Sequence, residues 1–163
     1  MKNKKKRECR PCTGCCDGWV QMTIGEVPVY PGKPCPQSSG AGCNDYHKRP
    51  VDPCGSFNCG WIIENSPLPD WMKPDNAKAI VIFGKLNWRG HAVDLAVPIG
   101  NVIPPRTLNW LKQFSEKHLR PLIYSEQIVA DGALQKEQQV FGHGPADFQQ
   151  DVLNMLQQGV KLW

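Results

Sequence analysis

Apolar positions along this chain change rhythm near residue 61. Before it they are sparse. Met22 and Ile24, followed after Gly25 by Val27 and Val29, predict a short strand near residues 20–24. Pro31, Gly32, Pro34, Pro36, Ser38, Ser39, Gly40 and Gly42 make residues 31–42 a loop. After residue 61 the pattern becomes that of a packed domain. Pro67, Pro69 and Pro74 punctuate a connector, and residues 79–83 form a continuous apolar run of strand length. Val93, Leu95 and Val97 alternate with Asp94 on the opposite face, which predicts a strand over 92–97. A turn over Gly84 to Gly90 would join the two as a hairpin.

Helical spacing follows. Pro105 suits a first helical position, and Leu108, Trp110, Leu111 and Phe114 form an apolar stripe that ends before Pro121. Leu122, Ile123 and Tyr124 predict another short strand. Phe148, Val152, Met155 and Leu156 predict a last helix from near Pro145, with Gly159 as its stop. The expected fold is α+β: a loop-rich cysteine lobe over 9–61, packed on a small β-sheet with two helices over 62–163, and preceded by a basic tail over 1–8.

Charge narrows the function classes. The chain carries a formal net charge of +4. Lys2, Lys4, Lys5, Lys6, Arg7 and Arg10 against Glu8 give residues 1–10 a charge of +5, leaving −1 for the rest. A nucleic-acid-binding fold spreads its basicity over a surface, whereas here it sits in one short segment that reads as a solvated terminus. No run approaches the roughly 20 apolar residues of a membrane span. No apolar core of a signal peptide follows the lysines, so a cytoplasmic location is expected.

All eight cysteines lie between Cys9 and Cys59. The first array is Cys9, Cys12, Cys15 and Cys16; the second is Cys35, Cys43, Cys54 and Cys59. Two-residue spacing lets a tight turn aim two sulfurs at one metal. Cys9, Cys12 and Cys15 in series are what a 4Fe–4S cluster needs from one local segment. Cys35, followed by Pro36, fits the remote fourth ligand, with Cys43, Cys54 and Cys59 competing for the role. Eight thiolates equally suit zinc, as two tetrahedral sites or one binuclear site. Four disulfides are the bland alternative; a reducing compartment and the adjacent Cys15-Cys16 pair weigh against them. His47, alone in a loop, reads as a surface residue.

The cysteine pattern resembles that of the CxxCxxCC family, whose members are described as zinc- or iron-chelating. Beyond the first array the likeness includes Cys35, Gly42-Cys43-Asn44-Asp45-Tyr46, Arg49-Pro50, Cys54, Phe57, Cys59 and Trp61. It covers about half the chain and departs from the family pattern at Gly55, where arginine is common. The resemblance implies metal binding by the eight matched cysteines. Tyr46 and Arg49 stand at matched positions within the cysteine region; Arg49 can donate hydrogen bonds to cluster sulfurs or loop carbonyls and offset the thiolates' charge, and that supporting role is preferred to substrate binding. Flagellin lysine methylases are similar in this motif. Methyl transfer is not carried over, because no glycine-rich phosphate- or nucleoside-cradling motif occurs here.

Other candidates are weaker. His91 and Asp94, three apart on one strand, face opposite sides and do not form a dyad. His143, in the Gly-rich approach to the last helix, reads as a cap or a solvated side chain. Ser56 and Ser125 lie in no nucleophile elbow. Trp61, Trp71, Trp88 and Trp110 are expected in the core and as lids over the metal. The resulting expectation is a small cytoplasmic iron–sulfur protein in electron transfer or cluster-assisted chemistry with a protein partner. A zinc-holding structural module and a metal donor are the alternatives.

Overall fold

The computed structural model describes residues 6–162, so Met1 to Lys5 of the expected basic tail lie outside the described residues. The fold is α+β, with a four-stranded mixed sheet, a separate two-stranded sheet, two main helices and a loop-rich N-terminal region. In chain order the elements are β1 (Met22–Ile24), β2 (Val27–Val29), the short α1 (Pro74–Ala77), β3 (Ala79–Trp88), β4 (His91–Pro98), α2 (Pro105–His118), β5 (Leu122–Ala130), β6 (Ala133–His143) and α3 (Ala146–Gln157). β1 and β2 pair antiparallel, turning at Gly25, whose φ of 63° no β-branched residue would accept.

The main sheet has the order β3-β4-β5-β6. β3 and β4 are antiparallel, as are β5 and β6. β4 and β5 run parallel, joined by the α2 crossover, because parallel neighbours cannot be linked by a tight turn. Alternation along the strands divides the core into two faces. Ala79, Val81, Ala96 and Leu122 pack with Leu111 of α2 and with Trp61, Leu68 and Met72. On the other face Val93, Leu95 and Ile123 pack under Phe148 and Val152 of α3. Ile80 and Val97 continue that second face and receive Val20, Trp19, Met22, Phe57 and Cys59 of the cysteine lobe. The lobe and α3 thus share one side of the sheet, and α2 holds the other.

Two expectations change. The β3–β4 turn is Arg89-Gly90 alone, and β3 runs on through Gly84 to Trp88. Gly84 is a bulge in a left-handed conformation (φ 61°), and the strand register shifts between Ile82 and Leu86. Its amide donates to Asp94 Oδ1 at 2.8 Å, which steadies the break in the ladder. The second change is a hairpin that hydrophobic rhythm does not announce. β5 extends to Ala130 and pairs with β6 over its length, so Phe141, Gly142 and His143 belong to a strand rather than to a flexible approach. The distal part of this hairpin is rich in Glu, Gln and Lys and mostly solvated, so it lacks an apolar face to read. No described helix is long and apolar enough to cross a membrane.

Candidate metal centre

The cysteine lobe is built from turns pinned to the main domain at named points. Arg7, which charge alone assigns to the tail, is docked. Its guanidinium donates to the carbonyls of Trp61 at 2.8 Å and Leu68 at 2.7 Å, pairs with Asp70 at 2.9 Å, and lies 4.7 Å over the Trp61 ring. Lys73 Nζ donates to the Arg10 carbonyl at 2.7 Å. These contacts lay the segment bearing Cys9 and Cys12 alongside the segment bearing Cys59. The Cys12 amide donates to the Cys9 carbonyl at 2.9 Å, closing the tight turn that two-residue spacing predicts.

Residues 13–19 coil tightly, with Asp17 N–H donating to Thr13 O at 2.8 Å and the Thr13 hydroxyl donating to Asp17 Oδ2 at 2.7 Å. Gly14 lets this coil approach the sheet: a Cβ there would lie 2.8 Å from Ile99 Cδ1 and 3.0 Å from Ile80 Cδ1. Gly18 (φ 93°) passes so close to the Tyr30 backbone that a Cβ would sit 2.3 Å from its carbonyl. The Cys35 amide donates to the Cys16 carbonyl at 2.8 Å, and the Ser38 amide to the Cys35 carbonyl at 2.9 Å. A bridge between Ser38 and Cys43 closes that loop. Cys54 lies in the helical turn Val51–Gly55, which is kinked at Asp52 (φ −113°, ψ 127°). The Gly60 amide then donates to the Val81 carbonyl on β3, and the chain passes round the sheet edge to bury Trp61 on the α2 side.

All eight cysteines line one cavity of about 200 Å³. None is in a disulfide. Met22, Ile24, Phe57, Ile62 and Ile80 give the space an apolar wall, and Arg10, Arg49 and Lys73 bring positive charge to it. Trp61 also lines the cavity and buries its indole Nε1 without a hydrogen-bond partner among the described residues. Of the four tryptophans expected as lids, only Trp61 reaches the thiols. Trp88 packs edge-on against Phe148, Trp110 stacks on Phe114, and Trp71 lies under Arg106.

The thiols perturb one another. Burial pushes Cys9 up to about 11, although part of the residue faces solvent, and the thiols of Cys12, Cys59 and Cys16 add to the effect. Burial likewise raises Cys12, against hydrogen bonds from the Gly14 and Asp75 amides that favour its thiolate. Cys15 and Cys16 share a hydrogen bond that separates their titrations. Cys15 is held far above the ordinary thiol range by that bond and by burial, and Cys16 is lowered to about 7 by the same bond. Burial raises Cys54, followed by the charges of Cys16, Cys35 and Cys43, while Arg49 opposes them.

Tyr46 and Arg49 both line the cavity. Arg49 donates to the Tyr46 carbonyl at 3.0 Å and its guanidinium stands 3.7 Å over the Tyr46 ring. Arg10 approaches the same ring at 5.4 Å. Sequence reasoning missed Arg7, Arg10 and Lys73; charge pattern alone makes them solvated lysine and arginine, whereas in the fold Arg7 and Lys73 donate to carbonyls and Arg10 lies over the Tyr46 ring. Outside the cavity, His143 Nε2 lies 3.1 Å from Glu116 Oε1, and exposed His91 faces the Trp88 ring. Asp94, 3% exposed, turns to the opposite side and binds Arg120 through both carboxylate oxygens at 2.8 and 2.6 Å. The chain matches no protein-family model, no curated protein and no solved structure at a significant level.

The donor set suits a soft metal held by thiolates. Four sulfurs around one zinc ion, at about 2.3 Å from it, stand roughly 3.8 Å apart. Among the described residues, no three Cys, His, Asp or Glu side chains are drawn together tightly enough to hold a single ion. The thiols instead surround an open space.

Proposed function

We propose that this is a metal-binding protein whose cysteine thiolates hold an iron–sulfur cluster of the 4Fe–4S type, and that it works in electron transfer or cluster-assisted chemistry with a protein partner. The observation that carries the reading is the gathering of all eight cysteines around a single cavity. The likeness of the cysteine spacing to the CxxCxxCC family supports it, as does the spread of the thiols around a space larger than one ion needs.

An iron–sulfur cluster, when bound, takes up and gives up single electrons at a potential set by its surroundings. The chain's own residues supply those surroundings. Met22, Ile24, Phe57 and Ile80 give the thiols an apolar wall. Arg10, Arg49 and Lys73 offset the thiolate charge, and the unpartnered Trp61 N–H is a donor available to a sulfur. Zinc in the same thiolates is the second reading. It is favoured by the even number of ligands, enough for two four-thiolate sites. It would make the lobe a structural or metal-handling module.

Anaerobic purification followed by a visible spectrum and elemental analysis tests both. Broad absorption near ~400 nm with iron and sulfide in equal amounts is the expected result. A colourless protein with zinc would replace the first reading by the second. A chain with neither metal would overturn both.

A further inference from the structure

Apart from its thiols, the wall of the cysteine cavity carries charge of one sign. Arg10, Arg49 and Lys73 line it, and no aspartate or glutamate does. Among the described residues none of these three meets a carboxylate, whereas Arg7, Arg89 and Arg120 each form an ion pair. Their contacts are neutral. Lys73 donates to the Arg10 carbonyl and Arg49 to the Tyr46 carbonyl, and Arg10 and Arg49 lie against the Tyr46 ring. A neutral partner leaves a cation its full charge, so the mouth of the cavity has a positive field.

The same mouth exposes a thiol and apolar surface. Cys9 is exposed, and Tyr46 and Val51 are 44% and 81% exposed. Val51 opens the helical turn that carries Cys54, another lining residue. Exposed Lys6 and Lys48 add to the cations, partly offset by exposed Glu8, Asp45 and Asp52. Lys6 precedes Arg7, which is docked on Trp61 of the cavity wall. The segment over residues 1–10, with its charge of +5, is therefore attached to the fold beside this mouth.

We propose that the rim formed by Lys6, Arg10, Tyr46, Lys48, Arg49 and Val51 is the docking face for a protein with an acidic surface that exchanges one electron with the metal centre. The proposal rests on the metal-binding reading above. The exchange oxidises one protein's centre and reduces the other's by one electron, with no bond made or broken. Cations around the opening steer an acidic partner to the side where the thiols come nearest to solvent, and a small contact is enough for a transient encounter. Tyrosine and arginine are the residues that protein contacts favour. A nucleic acid fits less well. Its bases need a free aromatic face for stacking, and Tyr46 already carries Arg49 at 3.7 Å on one face.

Binding of a fluorescein-labelled glutamate-rich peptide, followed by anisotropy on the metal-loaded chain, tests the face. A single-stranded oligonucleotide of equal charge is the comparison. The peptide is expected to bind, and to bind more weakly as salt rises. Lys6→Glu/Lys48→Glu should weaken it by about tenfold, while Lys117→Glu, on α2 across the sheet, should change it less than about twofold. Neither rim lysine lines the cavity, so metal content should stay at the wild-type level.

A kinetic measurement on the wild-type chain needs no variant to fold. The reduced protein is mixed with an anionic iron chelate or a cationic cobalt complex as one-electron oxidant. The anionic oxidant should react faster and lose its advantage at high salt. A preference for the cationic oxidant, tighter binding of the oligonucleotide than of the peptide, or equal losses from the rim and α2 variants would overturn the docking face. A metal-loaded chain that binds no peptide would do the same and leave the metal-binding reading standing. A chain without metal would overturn that reading and the redox partner with it.

Discussion

The backbone amide of Cys35 donates to the carbonyl of Cys16 at 2.8 Å, so the loop that begins at Cys35 is fastened to the last residue of the first cysteine array. That bond holds the backbone of Cys16 beside the loop that carries Cys35, with the Cys15 and Cys16 side chains adjacent. The hydrogen bond between the Cys15 and Cys16 side chains, with burial at Cys15, gives the two adjacent thiols opposite chemistry. Cys15 keeps its proton and Cys16 gives its proton up near neutral pH.

Reactivity in the metal-free chain should follow. A thiolate is the nucleophile, so iodoacetamide at pH 7 is expected to label Cys16 ahead of Cys9, Cys12, Cys15 and Cys54. Peptide mapping after brief alkylation measures the order. Labelling that begins at Cys15 would contradict the sense of the Cys15–Cys16 hydrogen bond.

Stability of the metal-free chain should depend on pH with a definite sign. Cys9 and its raised neighbours bind protons more tightly folded than unfolded. Their contribution is complete below the ordinary thiol value of 9.0 and is lost as pH rises through about 11 at Cys9. Cys16 acts in the other direction: its contribution is complete above 9.0 and is lost as pH falls through about 7. Urea midpoints measured across this range should therefore decline from pH 9 to 11. A midpoint that climbs over that interval would show that the buried thiols are not held protonated.

Arg7 should matter far more than a terminal arginine normally does. Arg7→Ala removes two hydrogen bonds to carbonyls and an ion pair with a fully solvated Asp70. Charged hydrogen bonds are worth about 1.5–3 kcal/mol, and a loss at the lower end of that range is expected because Asp70 adds little. Urea unfolding checks the stability, and metal content per chain should fall along with it. Unchanged metal retention would mean that the Cys9 segment is held without Arg7, by its thiols and the Lys73 bond to the Arg10 carbonyl.

Asp94 carries the main sheet's polar centre. Asp94→Ala would leave Arg120 half-buried without its partner and the Gly84 bulge without its acceptor. Breaking a buried pair in this way costs about 3–5 kcal/mol, reduced here toward the lower figure by the partial exposure of Arg120. The expected readout is a lower urea midpoint with metal content intact after folding, since the pair lies on the face away from the cysteine lobe.

Close approach sets the fourth site of sensitivity. Gly60→Ala would place a methyl 2.9 Å from the Val81 carbonyl and 2.8 Å from the Phe83 ring, where backbone has little room to give. Overpacking of this kind costs about 1–3 kcal/mol. Gly14→Ala meets only the terminal methyls of Ile80 and Ile99 and should cost less. Comparing thermal midpoints of the two variants checks the order.

Periodic elements were legible from the chain because burial on one face leaves a rhythm. Residues 79–83, the alternation around Asp94, and the stripes of α2 and α3 all face a core, and all fold as expected. The outer half of the β5–β6 hairpin was not legible, since both faces of Glu126–Gln127 and Glu137–Gln139 are polar in sequence. Its turn did leave a local mark: Asp131-Gly132 is a favoured two-residue hairpin pair, and both residues have positive φ. In the cysteine lobe the spacing identified which residues gather, and the cavity gathers all eight. It did not show which thiol neighbours which. That information lies in long-range clamps from Arg7 and Lys73 and in the Cys16–Cys35 amide bond, none of which leaves a periodic trace.

The hydrogen bond from Gly60 to Val81 has a consequence beyond anchoring. β3 is an outer strand of the main sheet, and such a strand offers unpaired amides and carbonyls to any passing chain. The end of the cysteine lobe sits on that margin like a cover strip. If the thiols lose whatever ties them together and the lobe lifts, an apolar strand margin over 79–83 becomes available for intermolecular pairing. Solubility of this protein would then report on the state of its thiols, and handling that strips or oxidises them would be seen first as precipitation.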